Sequence, residues 1–133
     1  MNFEAYQQEA TSTFKVQGEL NGKDSRLCDW ALGISSEAGE VAGLIKHGIF
    51  HKTGINKMKV AKEVGDVLWY LSALCTTLGI DLGDCAHLNL LKLKHRHGVK
   101  FSYEGSANRH EKEQQLEDTE LFKVLEGRIN NEK

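Results

Sequence analysis

The chain is expected to be all-α: a four-helix bundle-like core followed by one further helix at the C-terminal end. Three observations predict this. There is no proline, apolar residues recur at helical rather than alternating spacing, and Gly, Asn or Asp stands where one periodic run gives way to the next. A length of 133 residues suits one domain with a single core.

The elements follow in order. A first helix is predicted from Asn2, its N-cap, to about Val16, with Phe3, Tyr6, Ala10 and Phe14 at helical spacing. Gly18 to Lys23 (GELNGK) reads as a turn, after which Asp24 or Ser25 caps a second helix running to His47. That helix carries Gly33, Gly39 and Gly43, each costing up to about 1 kcal/mol relative to Ala. Their concentration points to close approach by another helix or a ligand. Gly48 to Asn56 reads as a loop, with Phe50, His51 and Lys52 as residues able to swing over a neighbouring site. His47 and His51 have the i, i+4 spacing of a metal-binding pair, but Gly48 between them argues against a continuous helix. The third helix is expected from Lys57 to about Leu78, ended by Gly79, and the fourth, capped by Asp81, from Leu82 to about His97. Beyond Gly98 the chain reads as irregular, and Glu111 to Glu126 as a polar helix with a thin stripe of Leu116, Phe122 and Leu125.

Composition excludes several classes of function. A net charge of −2 leaves no basic footprint, so neither a nucleic-acid polymer nor an anionic membrane is an expected partner. The N-terminus lacks an apolar targeting segment, and the longest uncharged run, Val67 to Ile80, is too short to span a bilayer. A cytoplasmic protein is expected, with Cys28, Cys75 and Cys85 as reduced core thiols.

The chemistry lies in the acidic residues. With 19 of them, roughly three pairs spaced three apart would arise by chance. There are four: Glu37/Glu40, Glu63/Asp66, Asp81/Asp84 and Glu117/Glu120. Helical spacing distinguishes the first two. Leu27, Trp30, Ile34, Val41 and Ile45 form a stripe with Glu37 in its middle and Glu40 on its flank. Val60, Val67, Leu71, Leu74 and Leu78 repeat the pattern, with Glu63 inside the stripe and Asp66 on the flank beside Tyr70. An unpaired carboxylate taken out of water costs several kcal/mol or takes up a proton. Four converging on one core need a cation, and an all-carboxylate set suits a hard ion such as Mg²⁺ or Mn²⁺. Asp81 and Asp84 have a simpler reading, as a helix cap and a first-turn acid.

The fourth helix turns basic towards its end, where cations also favour the helix dipole. Asn89, Lys92 and Arg96 share one edge at i, i+3, i+7. Set beside a metal, that edge would offer an amide, an ammonium and a guanidinium to a polyphosphate.

These residues resemble the MazG-like all-α nucleoside triphosphate pyrophosphohydrolases. The E-x-x-E then E-x-x-D motif stands here as Glu37-Ala-Gly-Glu40 and Glu63-Val-Gly-Asp66, and Asn89 to Arg96 is similar to an N-x-x-K-L-x-x-R signature. The similarity runs from about residue 3 to 110, which implies a domain over 1–110 and a polar C-terminal helix or tail over 111–133. It implies that Glu37, Glu40, Glu63 and Asp66 hold Mg²⁺ and carry catalysis, while Asn89, Lys92 and Arg96 bind phosphates and Tyr70 or Trp30 stacks on the base. The implied reaction splits a (d)NTP into (d)NMP and pyrophosphate, for dNTP pool control or house-cleaning, in a homodimer or dimer of dimers. Two departures stand out: Ser36 where some members have a further Glu, and His97 where many have Tyr.

Two other readings make different demands. A di-iron carboxylate bundle needs two E-x-x-H elements, and neither acidic pair has a His at that offset. A non-catalytic helical dimer acting as an interaction or regulatory module would leave thermal stability indifferent to Mg²⁺ and nucleotide.

Overall fold

The computed structural model describes residues 1–14, 22–97 and 123, with the side chains of Asp24 and of 95–97 left aside. Four helices and no strand occur among the described residues: α1 (Phe3–Thr11), α2 (Lys23–Phe50), α3 (Lys57–Leu78) and α4 (Leu82–His97). The chain divides into two compact units, Met1–Leu82 and Gly83–Lys133. Most of the expected GELNGK turn, the irregular stretch after Gly98 and the helix over 111–126 lie outside the described residues, Lys123 excepted, which is helical and exposed.

Asn2 caps α1 as expected, its side chain accepting from the Ala5 N–H at 2.8 Å. The helix ends at Thr11, earlier than the periodicity suggests. Three successive hydroxyls there turn back on the backbone: Thr11 donates to Gln7 O, Ser12 to Glu9 O and Thr13 to Ala10 O. Such local bonds compete with continuation of the helix, and Phe14 then packs against Trp30 and Trp69 at 5.6 and 5.4 Å between ring centroids.

Helix α2 departs from expectation at both ends. Its N-cap is Gly22, with no side-chain cap bond, rather than Asp24 or Ser25; the Arg26 N–H already donates to Gly22 O at 3.3 Å. At the other end it runs through Gly48 to Phe50. Gly48 survives inside the helix because the following loop folds back on it: the Gly54 N–H donates to Gly48 O at 3.2 Å, and a Cβ at Gly48 would lie 2.7 Å from Gly54 O. Close approach, rather than chain breaking, explains that glycine. Asn56 then caps α3 by accepting from Lys59 N–H, and Gly79, at φ 72°, ends it in the left-handed conformation.

Contacts along the pair show that α2 and α3 run antiparallel. Glu37 meets Glu63 and Asp66, Gly33 meets Tyr70, and Trp30 donates to the Thr77 hydroxyl at 3.0 Å, so numbers fall along α2 as they rise along α3. Trp30, Trp69, Tyr70 and Phe14 form the aromatic hub between α2, α3 and the end of α1. Among the described residues, the close packing expected of three glycines holds for Gly33 and not for Gly39 or Gly43, whose Cβ would have no neighbour within 4 Å there. Cys75 and Cys85 are half-buried, but Cys28 is exposed rather than in the core.

Gln7 locks α1 onto the far end of α3. Its amide donates to Thr76 Oγ1 at 3.1 Å and Ile80 O at 2.9 Å, and its carbonyl accepts from the Leu82 N–H at 2.8 Å, serving the first turn of α4. Gln7→Ala is therefore expected to cost about 1–3 kcal/mol, because it strands a backbone donor and a backbone acceptor in partly buried surroundings. Thermal denaturation measures this, and an unchanged Tm would show the clamp to be idle.

Candidate metal centre

The site lies within the first unit, on facing turns of α2 and α3. Glu37 comes from the middle of the α2 stripe, and Glu63 and Asp66 come from α3, one turn apart. One ligand atom from each of the three lies within 4.8 Å of the others. Glu37 and Glu63 are half-buried and Asp66 is exposed, so the cluster has an apolar floor and an open mouth. The apolar stripes produce this. Leu27, Ile34, Val41 and Ile45 on α2 and Val60, Val67, Leu71 and Leu74 on α3 are all half-buried, and Glu37 and Glu63 share their faces.

The electrostatics match the geometry. Partial burial, then the negative charges of Asp66, Glu63 and Glu40, hold the Glu37 carboxyl above the usual carboxylate range. Glu40 thus belongs to the electrostatic neighbourhood, but it is exposed and is not one of the three carboxylates that close up. The donor set passes the test for a hard divalent cation: it is all oxygen, negatively charged, partly desolvated and open on one side.

Tyr70 stands one turn beyond Asp66, its ring occupying the place a Gly33 Cβ would take. Trp30 is only 8% exposed, and its indole N–H is engaged by Thr77. Asn89, Lys92 and Arg96 fall on α4, mostly in the second unit; Asn89 is exposed and Lys92 half-buried, while the Arg96 side chain lies outside the described ones.

The periodicity did not single out two contributors. Burial and then the charge of Asp66 raise the Tyr6 phenol above its ordinary value, so α1 also adjoins the cluster. Tyr6 was visible only as one more apolar-face residue. Gly33 was visible as a glycine without an assigned neighbour.

A carboxylate cluster bridging two antiparallel helices defines the class: an all-α protein with a centre able to hold a divalent metal ion. Within that class, residues 29–101 match the family model of the MazG nucleotide pyrophosphohydrolase domain, and the chain belongs to that family. It is also 35% identical over 69 residues to the Gene 37 protein of Mycobacterium phage L5, a match covering 49% of this chain and 60% of that protein. No solved structure matches. No helix among the described residues is long and apolar enough to cross a membrane.

Proposed function

We propose that the protein is a Mg²⁺-dependent pyrophosphohydrolase that splits a (d)NTP between its α and β phosphates, releasing (d)NMP and pyrophosphate. The observation that carries this reading is the convergence of Glu37, Glu63 and Asp66 across α2 and α3, in a chain of this family. These three carboxylates would hold the ion, with Mn²⁺ as the alternative. When bound, the ion supplies charge neutralisation for the phosphates and makes water more acidic.

The rest falls to the chain's own groups. Water adds to the α phosphorus, the bond from that phosphorus to the pyrophosphate oxygen breaks, and the water gives up a proton. Glu40, exposed and outside the close group, is the carboxylate left to accept that proton. Asn89, Lys92 and Arg96 of α4 bind the phosphates by charge-assisted hydrogen bonds. Tyr70, next to Asp66 along the helix, takes the base; Trp30, buried with its N–H satisfied, backs the Tyr70 ring from 6.2 Å. The working unit is a homodimer or dimer of dimers. This is supported by the few buried apolar residues among those described, namely Ala10, Trp30, Ala73 and Leu82, against Leu32, Phe50 and Met58 at 70–76% exposure. The domain extends over 1–110, and the role is control or cleansing of a nucleotide pool.

Incubating the protein with each dNTP in Mg²⁺ tests the reaction. The expected products are monophosphate and pyrophosphate, and release of orthophosphate alone would refute the proposed bond cleavage. The melting temperature should rise with Mg²⁺ and a non-hydrolysable nucleotide together, as mass action requires. Indifference to both would leave a helical interaction module.

A further inference from the structure

We infer that His47 and His51 form a second metal-binding position, for a borderline divalent ion such as Zn²⁺ or Ni²⁺, separate from the carboxylate cluster. The continuation of α2 through Gly48 makes it available. With the helix intact, the two side chains share one face, and the His51 N–H donates to His47 O at 3.0 Å, so the last backbone bond of the helix ties the pair together. Their ring centroids are 4.5 Å apart at a 31° tilt. At that distance modest χ rotations bring one nitrogen of each ring onto a common ion. Both residues are exposed, so water can fill the remaining coordination positions.

Thr53 adds an outer contact. Its hydroxyl lies 3.4 Å from His47 Nδ1. When that hydroxyl accepts a hydrogen bond from Nδ1–H, Nε2 keeps its lone pair outward, the tautomer a metal requires, as outer partners of ligating histidines usually enforce. The loop is held where this contact needs it by the Gly54 to Gly48 hydrogen bond and by Gly54 at φ 80°.

Ligand chemistry separates the two positions. Imidazole selects Zn²⁺, Ni²⁺ or Cu²⁺ over Mg²⁺, whereas the all-oxygen carboxylate set also accepts hard ions, so excess Mg²⁺ competes at the carboxylates and not at the histidines. His47 also lies about 15 Å further along the helix axis than Glu37, at 1.5 Å per residue. An ion across His47 and His51 would staple the last turn of α2 to the loop leading into α3, bracing the hairpin that carries the carboxylates.

The test is a titration of the full, tag-free chain with Ni²⁺ in excess Mg²⁺, read by calorimetry and by Tm. One saturable Ni²⁺ site per chain is expected. His47→Ala or His51→Ala should weaken it by about tenfold or more, and Thr53→Val by no more than the ligand changes do. Glu63→Gln should leave it intact, so that failure here and failure of the carboxylate centre remain distinguishable. Absence of Ni²⁺ binding, binding that survives both histidine substitutions, or binding that disappears with Glu63→Gln would each overturn the assignment.

Discussion

Glu63→Gln is expected to reduce pyrophosphohydrolase turnover by roughly 100-fold or more while raising the melting temperature of the metal-free protein. The first effect follows from ligand chemistry: a neutral amide replaces an anionic oxygen donor, and even changes one shell further out cost about 10–100-fold in affinity or activity. The second follows from repulsion. Glu63 is one of the charges that, with burial and Asp66 ahead of it and Glu40 behind, hold the Glu37 carboxyl above the usual carboxylate range. A raised native value means that the folded protein keeps a proton the unfolded chain has already released. Stability from this group is therefore full below the unfolded value and falls as pH rises through the raised one. Removing the Glu63 charge lessens that loss, and the near-isosteric Gln leaves the packing alone. Assaying turnover beside melting curves with and without Mg²⁺ reads both signs. Full turnover, or a Mg²⁺-induced stabilisation as large as in the parent protein, would remove Glu63 from the centre.

Gly33→Ala should destabilise the fold by about 2 kcal/mol, the difference between about 3 kcal/mol for severe overpacking and the roughly 1 kcal/mol that Ala gains in a helix. The new methyl would overlap the Tyr70 ring. That ring has little freedom to yield, since Trp69 and Trp30 pack on it with centroids 5.0 and 6.2 Å away. For a chain of this size the change corresponds to a Tm lower by about 8 °C. Gly43→Ala is the control. With no described residue within 4 Å of its Cβ, it should gain up to about 1 kcal/mol from helix propensity. Combining Gly33→Ala with Tyr70→Ala should cost less than the two singly, because both act on one contact. Strict additivity would show that Tyr70 and Gly33 do not compete for the same space. Because Tyr70 sits one turn from Asp66, Gly33→Ala should also lower activity even where the protein remains folded.

Much of the architecture was legible in residue order. Asn2 capping α1, Gly79 ending α3, and the α3 and α4 spans follow from local backbone preferences that need no partner. The placing of Glu37 and Glu63 on apolar faces was equally legible, since 3.6-residue periodicity gives each side chain's angle about its own axis. The missed boundaries share a cause. Gly48 and the Thr11–Thr13 hydroxyls have weak local preferences that nearby contacts settle, with Gly54 in the first case and the aromatic hub in the second.

The order of residues therefore established four amphipathic helices and the placing of Glu37 and Glu63 on their apolar faces, with Glu40 and Asp66 exposed on the flanks. It could not establish how far one helix slides along its neighbour. That displacement depends on Tyr70 filling the gap at Gly33, on Trp30 reaching Thr77, and on Gln7 gripping the α3–α4 junction. Sliding α3 by one turn would keep every stripe apolar and still separate Glu37 from Glu63 and Asp66. Periodicity repeats at each turn, so it carries no axial register; only the fit of unequal side chains across the interface singles out the arrangement in which three carboxylates meet.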